Sequence, residues 1–240
     1  MLQPRIPVHL GDRFSVADAL QAGVSASRLR KSDLDSPFFG VRRRSETEPD
    51  DMVVFNRFGK RRGEKERAHI ERALDYATRA GEHEFFCHVT AAILWDLPLP
   101  SSLLISADIH VAVLAPRRLP RGKGVRGHQA VSKLTKLQRD PRTGLLLADP
   151  ATTWAMLASI IHHSHDIVAV ADAIVREWRA EPLATTADLE RAILCGRRVG
   201  IDKLREALPL VRTHSASRPE TRTRLELLDA RLPGSQLRRV

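Results

Sequence analysis

Aromatic side chains are scarce. Phenylalanine, tryptophan and tyrosine make up 5% of the 240 residues, and there is a single tyrosine. Any core must therefore rest on aliphatic packing, which a hydrophobic content of 42% can supply; that content argues against a disordered chain. Cysteine is scarcer still. Cys87 and Cys195 have no partner at metal-ligand spacing and cannot form a disulfide framework, so free, buried thiols are expected. No stretch approaches the roughly 18 apolar residues of a membrane-spanning helix. The opening "MLQPRIPVHLGDRFS" has no continuous apolar run of the signal-peptide kind, so a cytoplasmic protein is expected. There is no internal repeat and no long low-complexity segment.

Basic residues, by contrast, are in excess. The formal net charge is +10 and the isoelectric point is near 10.5. That balance suits a polyanionic partner such as nucleic acid. Arginine outnumbers lysine 32 to 7. Two causes fit the bias: arginine forks that match phosphates and guanine edges, or GC-rich coding that favours arginine codons throughout.

The length suits one large domain or two smaller ones. The sequence divides into residues 1–62, 63–214 and 215–240. In the first block, Ser15 reads as an N-cap with Asp18 three residues on, opening a short helix with Val16, Ala19 and Leu20 on its apolar face. Gly23 ends that helix, and Ser25 caps a second one over "ASRLRKSDL". Helix, glycine turn, helix is helix-turn-helix spacing. "PFFGVRRR" then reads as an extended wing in which Phe38, Phe39 and Val41 pack. "DMVVFNRF" is a strand or a partly buried connector. The second block begins with an amphipathic helix from Glu64 to Ala80 and a short buried helix in "FFCHVTAAILWDLPLP". "DIHVAVLAP", "GVRGHQAV" and "TGLLLAD" are candidate strands. Helices follow, with Asp149 capping one that has Pro150 at its first position, and Thr185 or Thr186 capping another.

Candidate contacts to DNA come from the first block. In a helix-turn-helix the second helix lies in the major groove. Here it offers Ser25, Ser27, Arg28, Arg30 and Lys31, whose hydroxyls and cations suit phosphate positioning and base readout, with Leu29 and Leu34 pointing inward. Arg42, Arg43 and Arg44 would extend the cationic surface along the wing. A second basic tract, Pro116 to Arg142, carries nine Lys or Arg residues against one acid. It fits either a path for a phosphate backbone or a solvated loop, and with no aromatic residues it lacks the stacking platform of single-strand binders.

Catalytic and metal chemistry find little support. "HHSH" (His162, His163, His165) lacks partners at suitable spacing, and His88 reads as a buried histidine satisfied by backbone. "GKG" at residues 122–124 is too short to cradle phosphate, and no Ser-His-Asp set or carboxylate pair stands out. The expectation is therefore no catalytic residues, no metal and no cofactor.

Taken in order, "FSVADALQAGVSASRLRKSDLDSPFFGVR", "CHVTAAILWDLPLP", "IHVAV", "GVRGHQ", "LLLADPATTWAMLA", "IVAVADAIV" and "SRPETRTRLELLDARLPG" resemble an actinobacterial family. Its members join a winged helix like that of AbiEi-type antitoxins of type IV toxin–antitoxin systems to a middle α/β domain. Many end in a domain related to very-short-patch-repair endonucleases. Two departures stand out. Asp96 takes the place before Leu-Pro where the family often has glycine, and the segment from Arg43 to Lys65 is unusually charged. In the longer relatives "S-x-x-E-T-x-x-R" opens the nuclease-like domain. Its acid matches Glu220, but the later metal-binding acids have no counterpart here. Divalent-metal cleavage needs several converging carboxylates. Glu220 is thus expected to be an exposed first-turn acid, on a helix that packs back through Leu225, Leu228 and Leu232.

The combined expectation is an α+β protein with an N-terminal winged helix-turn-helix, a mixed domain with a small sheet, and a helical C-terminal part. It would be a transcriptional regulator or antitoxin-like protein docking double-stranded DNA, with a cognate toxin as a possible partner implied by the resemblance. The alternatives are a truncated or split endonuclease, or a protein-interaction module of a toxin–antitoxin pair.

Overall fold

Short polar side chains set the first elements. Ser15 Oγ accepts from the backbone N–H of Asp18 at 3.0 Å and starts helix α1 (Val16–Gln21) directly after strand β1 (Arg13–Ser15). Gly23, at φ 82°, turns the chain out of it. The computed structural model describes residues 6–46, 48–178 and 181–230.

The second helix expected after Ser25 does not form. A single 3-10 turn, Arg28–Arg30, stands in its place. Ser25 Oγ accepts from the Arg28 N–H at 3.3 Å, while Asp33 closes a two-pronged pair on Arg28 at 2.9 and 2.6 Å. These local bonds offer the backbone an alternative to a second helical turn, and a helix this short gains little from propagation. Strands β2 (Leu34–Asp35) and β3 (Val41–Arg44) follow, giving an antiparallel sheet of order β1-β3-β2. Ile6, Phe14, Ala19, Val24, Leu29 and Leu34 form a small core beneath it. Phe38 is buried as expected, but Phe39 is 92% exposed, and Leu20 is half exposed on α1.

"DMVVFNRF" is neither strand nor plain connector. It is a one-turn helix, α2 (Asp51–Val54), then a bridge of Phe55 to Arg61. Helix α3 (Glu64–Ala77) is the amphipathic helix expected, and it seats the N-terminal sheet. Arg13 and Arg43 are cross-strand partners, a like-charge pairing explained by α3: both reach the fully buried carboxylate of Asp75 (3.1 and 3.0 Å).

The larger sheet has five strands in the order β6-β5-β4-β8-β7: β4 (Phe85–Phe86), β5 (Ile109–Leu114), β6 (Val125–Ala130), β7 (Leu137–Arg139) and β8 (Leu146–Ala148). β5 and β6 run parallel, from Ile109 opposite Val125 to Leu114 opposite Ala130. The crossover between them lies close over β6, where a β-carbon on Gly127 would fall onto the Pro120 carbonyl. Helix α4 (His88–Leu94) leaves β4 at once. Asp149 caps α5 (Pro150–Leu157), and Thr185 caps α7 (Thr186–Leu194), both as the sequence implies. Helices α6 (Ser164–Val175), α8 (Ile201–Ala207) and α9 (Arg218–Asp229) complete the set. The main core runs through α3 to α9 and one sheet face, with Trp154 fully buried and donating to the Ile167 carbonyl at 3.0 Å. None of the described helices is long and apolar enough to cross a membrane.

Helix α9 packs against α6 through buried Leu225; Leu228 is 37% exposed, and Leu232 lies outside the described residues. Glu220 closes the first turn of α9, its carboxylate accepting from the Ala216 N–H at 3.0 Å and its own N–H donating to Ser217 Oγ.

Candidate nucleic-acid interface

A strand shows its side chains alternately on two faces, so three consecutive arginines cannot form one cationic surface. Arg42 and Arg44 share a face with Phe14 and Leu34; Arg43 lies on the other with Arg13. Each has an internal task. Arg42 Nε donates to the Leu29 carbonyl at 2.7 Å and pins the 3-10 turn. Arg43 serves Asp75 and Asp35, and Arg44 reaches the carbonyls of Ile6 and Gly11. Arg28, expected at a base edge, is 6% exposed and engaged with Asp33. Hydrogen bonding to Arg28 holds the Asp33 carboxyl below its ordinary value. Ser25, Ser27, Arg30 and Lys31 alone of the eight residues expected to meet DNA are exposed. The wing expected from "PFFGVRRR" is thus a short hairpin whose arginines tie the unit together.

The second basic tract is arranged differently. Arg117, Arg118, Arg121, Lys123, Arg126, Lys133, Lys136 and Arg139 are all exposed. Its one acid, Asp140, is 1% exposed and bonded to the Thr143 hydroxyl and the Arg142 N–H. Among the described residues, only Lys136 of these eight meets a carboxylate, Asp149 at 4.0 Å. The tract is not one loop: it supplies the crossover, edge strand β6 and opposite edge strand β7. Each edge strand carries one of these cations, Arg126 on β6 and Arg139 on β7; a charge on an edge resists pairing with another sheet and is available to an anion. The N-terminal hairpin approaches the tract at Gly124, where the Arg72 guanidinium lies against the glycine and stacks over Phe38 at 4.9 Å.

A cleft of about 530 Å³ opens between α6, the start of α9 and the segment after α2. Its inner cations are occupied: Arg62 is paired with Asp96, and Arg218 binds Asp166 at 2.8 Å. Trp178, Lys60 and Arg61 lie at its rim.

A third cluster escapes sequence reasoning. The sequence leads one to expect a His88 satisfied by backbone. Its Nδ1 instead lies 3.2 Å from Cys87 Sγ, and its ring stacks on His128 at 4.1 Å. His110 Nδ1 lies 3.0 Å from His128 Nε2. Burial, then the neighbouring histidines and Arg126, pushes His88 down to about 2; burial, His128 and Arg126 push His110 down to about 3. All three rings are neutral at neutral pH. The available signal is one histidine in each of the strand segments "DIHVAVL" and "VRGHQA", but their meeting depends on a parallel register that neither segment encodes alone. The residues of "HHSH" hold helices: His163 caps α6, and His165 Nε2 meets Asp229 on α9 at 3.0 Å. Compared with protein-family models and with curated proteins, the chain gives no match.

Proposed function

We propose that the chain binds duplex DNA as a regulator of the antitoxin-like kind, with the tract from Pro116 to Arg142 as its main electrostatic surface. The observation that carries this reading is the sorting of charge within that tract: eight basic side chains face solvent and the one acid is buried. Ser25, Ser27, Arg30 and Lys31 add a smaller contact beside the 3-10 turn. Phosphates rather than base edges supply the affinity, because the tract's cations sit on a crossover and edge strands and not on a helix that fits the major groove. The absence of interleaved aromatics favours duplex over single strands.

The test is binding of a fluorescent duplex by anisotropy across a salt series. Affinity is expected to fall linearly on a log–log plot, with a slope of about −0.9 for each phosphate neutralised. Failure to bind at low salt, binding indifferent to salt, or tighter binding of the matching single strand would each sink the proposal.

A further inference from the structure

We propose that Cys87, His88 and His128 form a binding site for one zinc-class divalent cation, with His110 as the residue that orients His128. Three strands build it. Cys87 and His88 follow the end of β4, His110 lies on β5 and His128 on β6. Phe85, Ala112 and His128 occupy one row across the sheet, so the fully buried Ala112 leaves room above it for the imidazoles. One ligand atom each from Cys87, His88 and His128 lies within 4.8 Å of the others. A tetrahedral zinc bound by sulfur and nitrogen places its ligand atoms about 3.3–3.6 Å apart. The Cys87–His88 pair is already at 3.2 Å; the His88 and His128 rings are stacked, so binding requires one ring to turn until both in-plane lone pairs meet at the cation.

Two further features fit. His88 sits at φ 46°, a left-handed conformation unusual for a non-glycine residue, and such strain concentrates at functional sites. The donor set of one thiol and two imidazoles suits a borderline cation and not calcium or magnesium, which take oxygen ligands. His88 and His128 are half-buried, so the site has a path from solvent. Binding replaces the thiol proton: the cation forms bonds to sulfur and two nitrogens, one proton leaves to solvent, and no redox change occurs. Water takes the fourth position.

The experiment uses the full chain, stripped with a chelator, and titrated with cobalt(II) and then zinc(II). The expected result is one cobalt per chain with a thiolate-to-cobalt charge-transfer band, displaced stoichiometrically by zinc. Cys87→Ser is expected to abolish the band, and Cys195→Ser to leave it. His110→Asn should weaken zinc binding by about 10–100-fold, the usual effect of losing an orienting partner, and His128→Gln by more. Circular dichroism checks the fold of each variant. If Cys87→Ser fails to fold, His128→Gln decides, since its ring is only partly buried and lies on an edge strand. No charge-transfer band in the wild type, a band that follows Cys195, or zinc affinity unchanged in a folded His128→Gln variant would overturn the site.

Discussion

Asp96 stands at φ 59°, a backbone region that glycine enters freely and that aspartate and asparagine tolerate better than most residues. That accounts for how an acid can occupy this backbone position. The acid also does what glycine cannot. Its carboxylate pairs with buried Arg62, with Arg142 at 2.9 Å, and with the Arg57 N–H at 2.8 Å. Burial pushes its carboxyl up, against the pull of the two guanidiniums. Asp96→Asn suits the same backbone but removes the charge and turns one acceptor oxygen into a donor, leaving Arg62, at 3% side-chain exposure, without its counter-charge. A loss of about 3–5 kcal/mol is expected in urea denaturation, and a loss below about 1 kcal/mol would show that the pair contributes little. His69 gives a pH counterpart. Thr90 Oγ1 accepts from the His110 backbone N–H at 2.7 Å and lies 2.8 Å from His69 Nε2, free to donate its proton to a neutral ring. Burial first, with Arg72 beside it, pushes His69 down to about 4. The unfolded chain takes up this proton near pH 6.5 and the folded chain does not. Stability from this group is therefore present above pH 6.5 and falls as pH drops toward 4. Each unit is worth about 1.4 kcal/mol. Between pH 7 and 5, His69→Gln should lose about 2 kcal/mol less than the wild type; equal losses would show that His69 is protonated in the fold.

Capped elements were the legible ones. Ser15, Asp149 and Thr185 each start the helix their side chain announces, because capping is a bond between near neighbours in sequence. Ile109–Leu114 and Val125–Ala130 were legible as strands, but not as a parallel pair. Nothing in either segment specifies its partner, and so the meeting of His88, His110 and His128 stayed hidden. The two-residue strand β4 is shorter than any periodicity can reveal. The misplaced second helix has the opposite cause. "ASRLRKSDL" has fair helical composition, yet Asp33 folds back on Arg28 and Arg42 bonds the Leu29 carbonyl, so tertiary and local bonds outweigh propensity. Of the candidate site, the residue types were legible and their direction was not. Whether an arginine faces solvent depends on acids distant in sequence, as Asp75 shows for Arg13 and Arg43.

The bases of the N-terminal unit and those of the tract thus differ in how they are engaged. Near the N-terminus, Arg13, Arg28 and Arg43 neutralise Asp33, Asp35, Asp75 and Glu71, and a guanidinium already paired releases few counterions when DNA arrives. The eight exposed bases of the tract have no such partners among the described residues, Lys136 apart. The tract thus presents more unpaired positive charge to solvent than the N-terminal unit does. The difference makes stability and binding separable. Arg117→Ala, Arg118→Ala and Arg121→Ala combined should leave unfolding within about 0.5 kcal/mol per site, because exposed positions rarely matter more. The same variant should reduce the magnitude of the salt slope by up to about 0.9 for each phosphate that is no longer neutralised. Arg28→Ala should do the reverse. It removes two hydrogen bonds to Asp33 and a buried stem, so a loss of about 1–2 kcal/mol is expected with the salt slope unchanged. Measured side by side, a slope that drops for Arg28→Ala and holds for the tract variant would move the DNA-binding surface to the 3-10 turn. It would also mean that the buried acid and exposed bases of the tract reflect solubility alone.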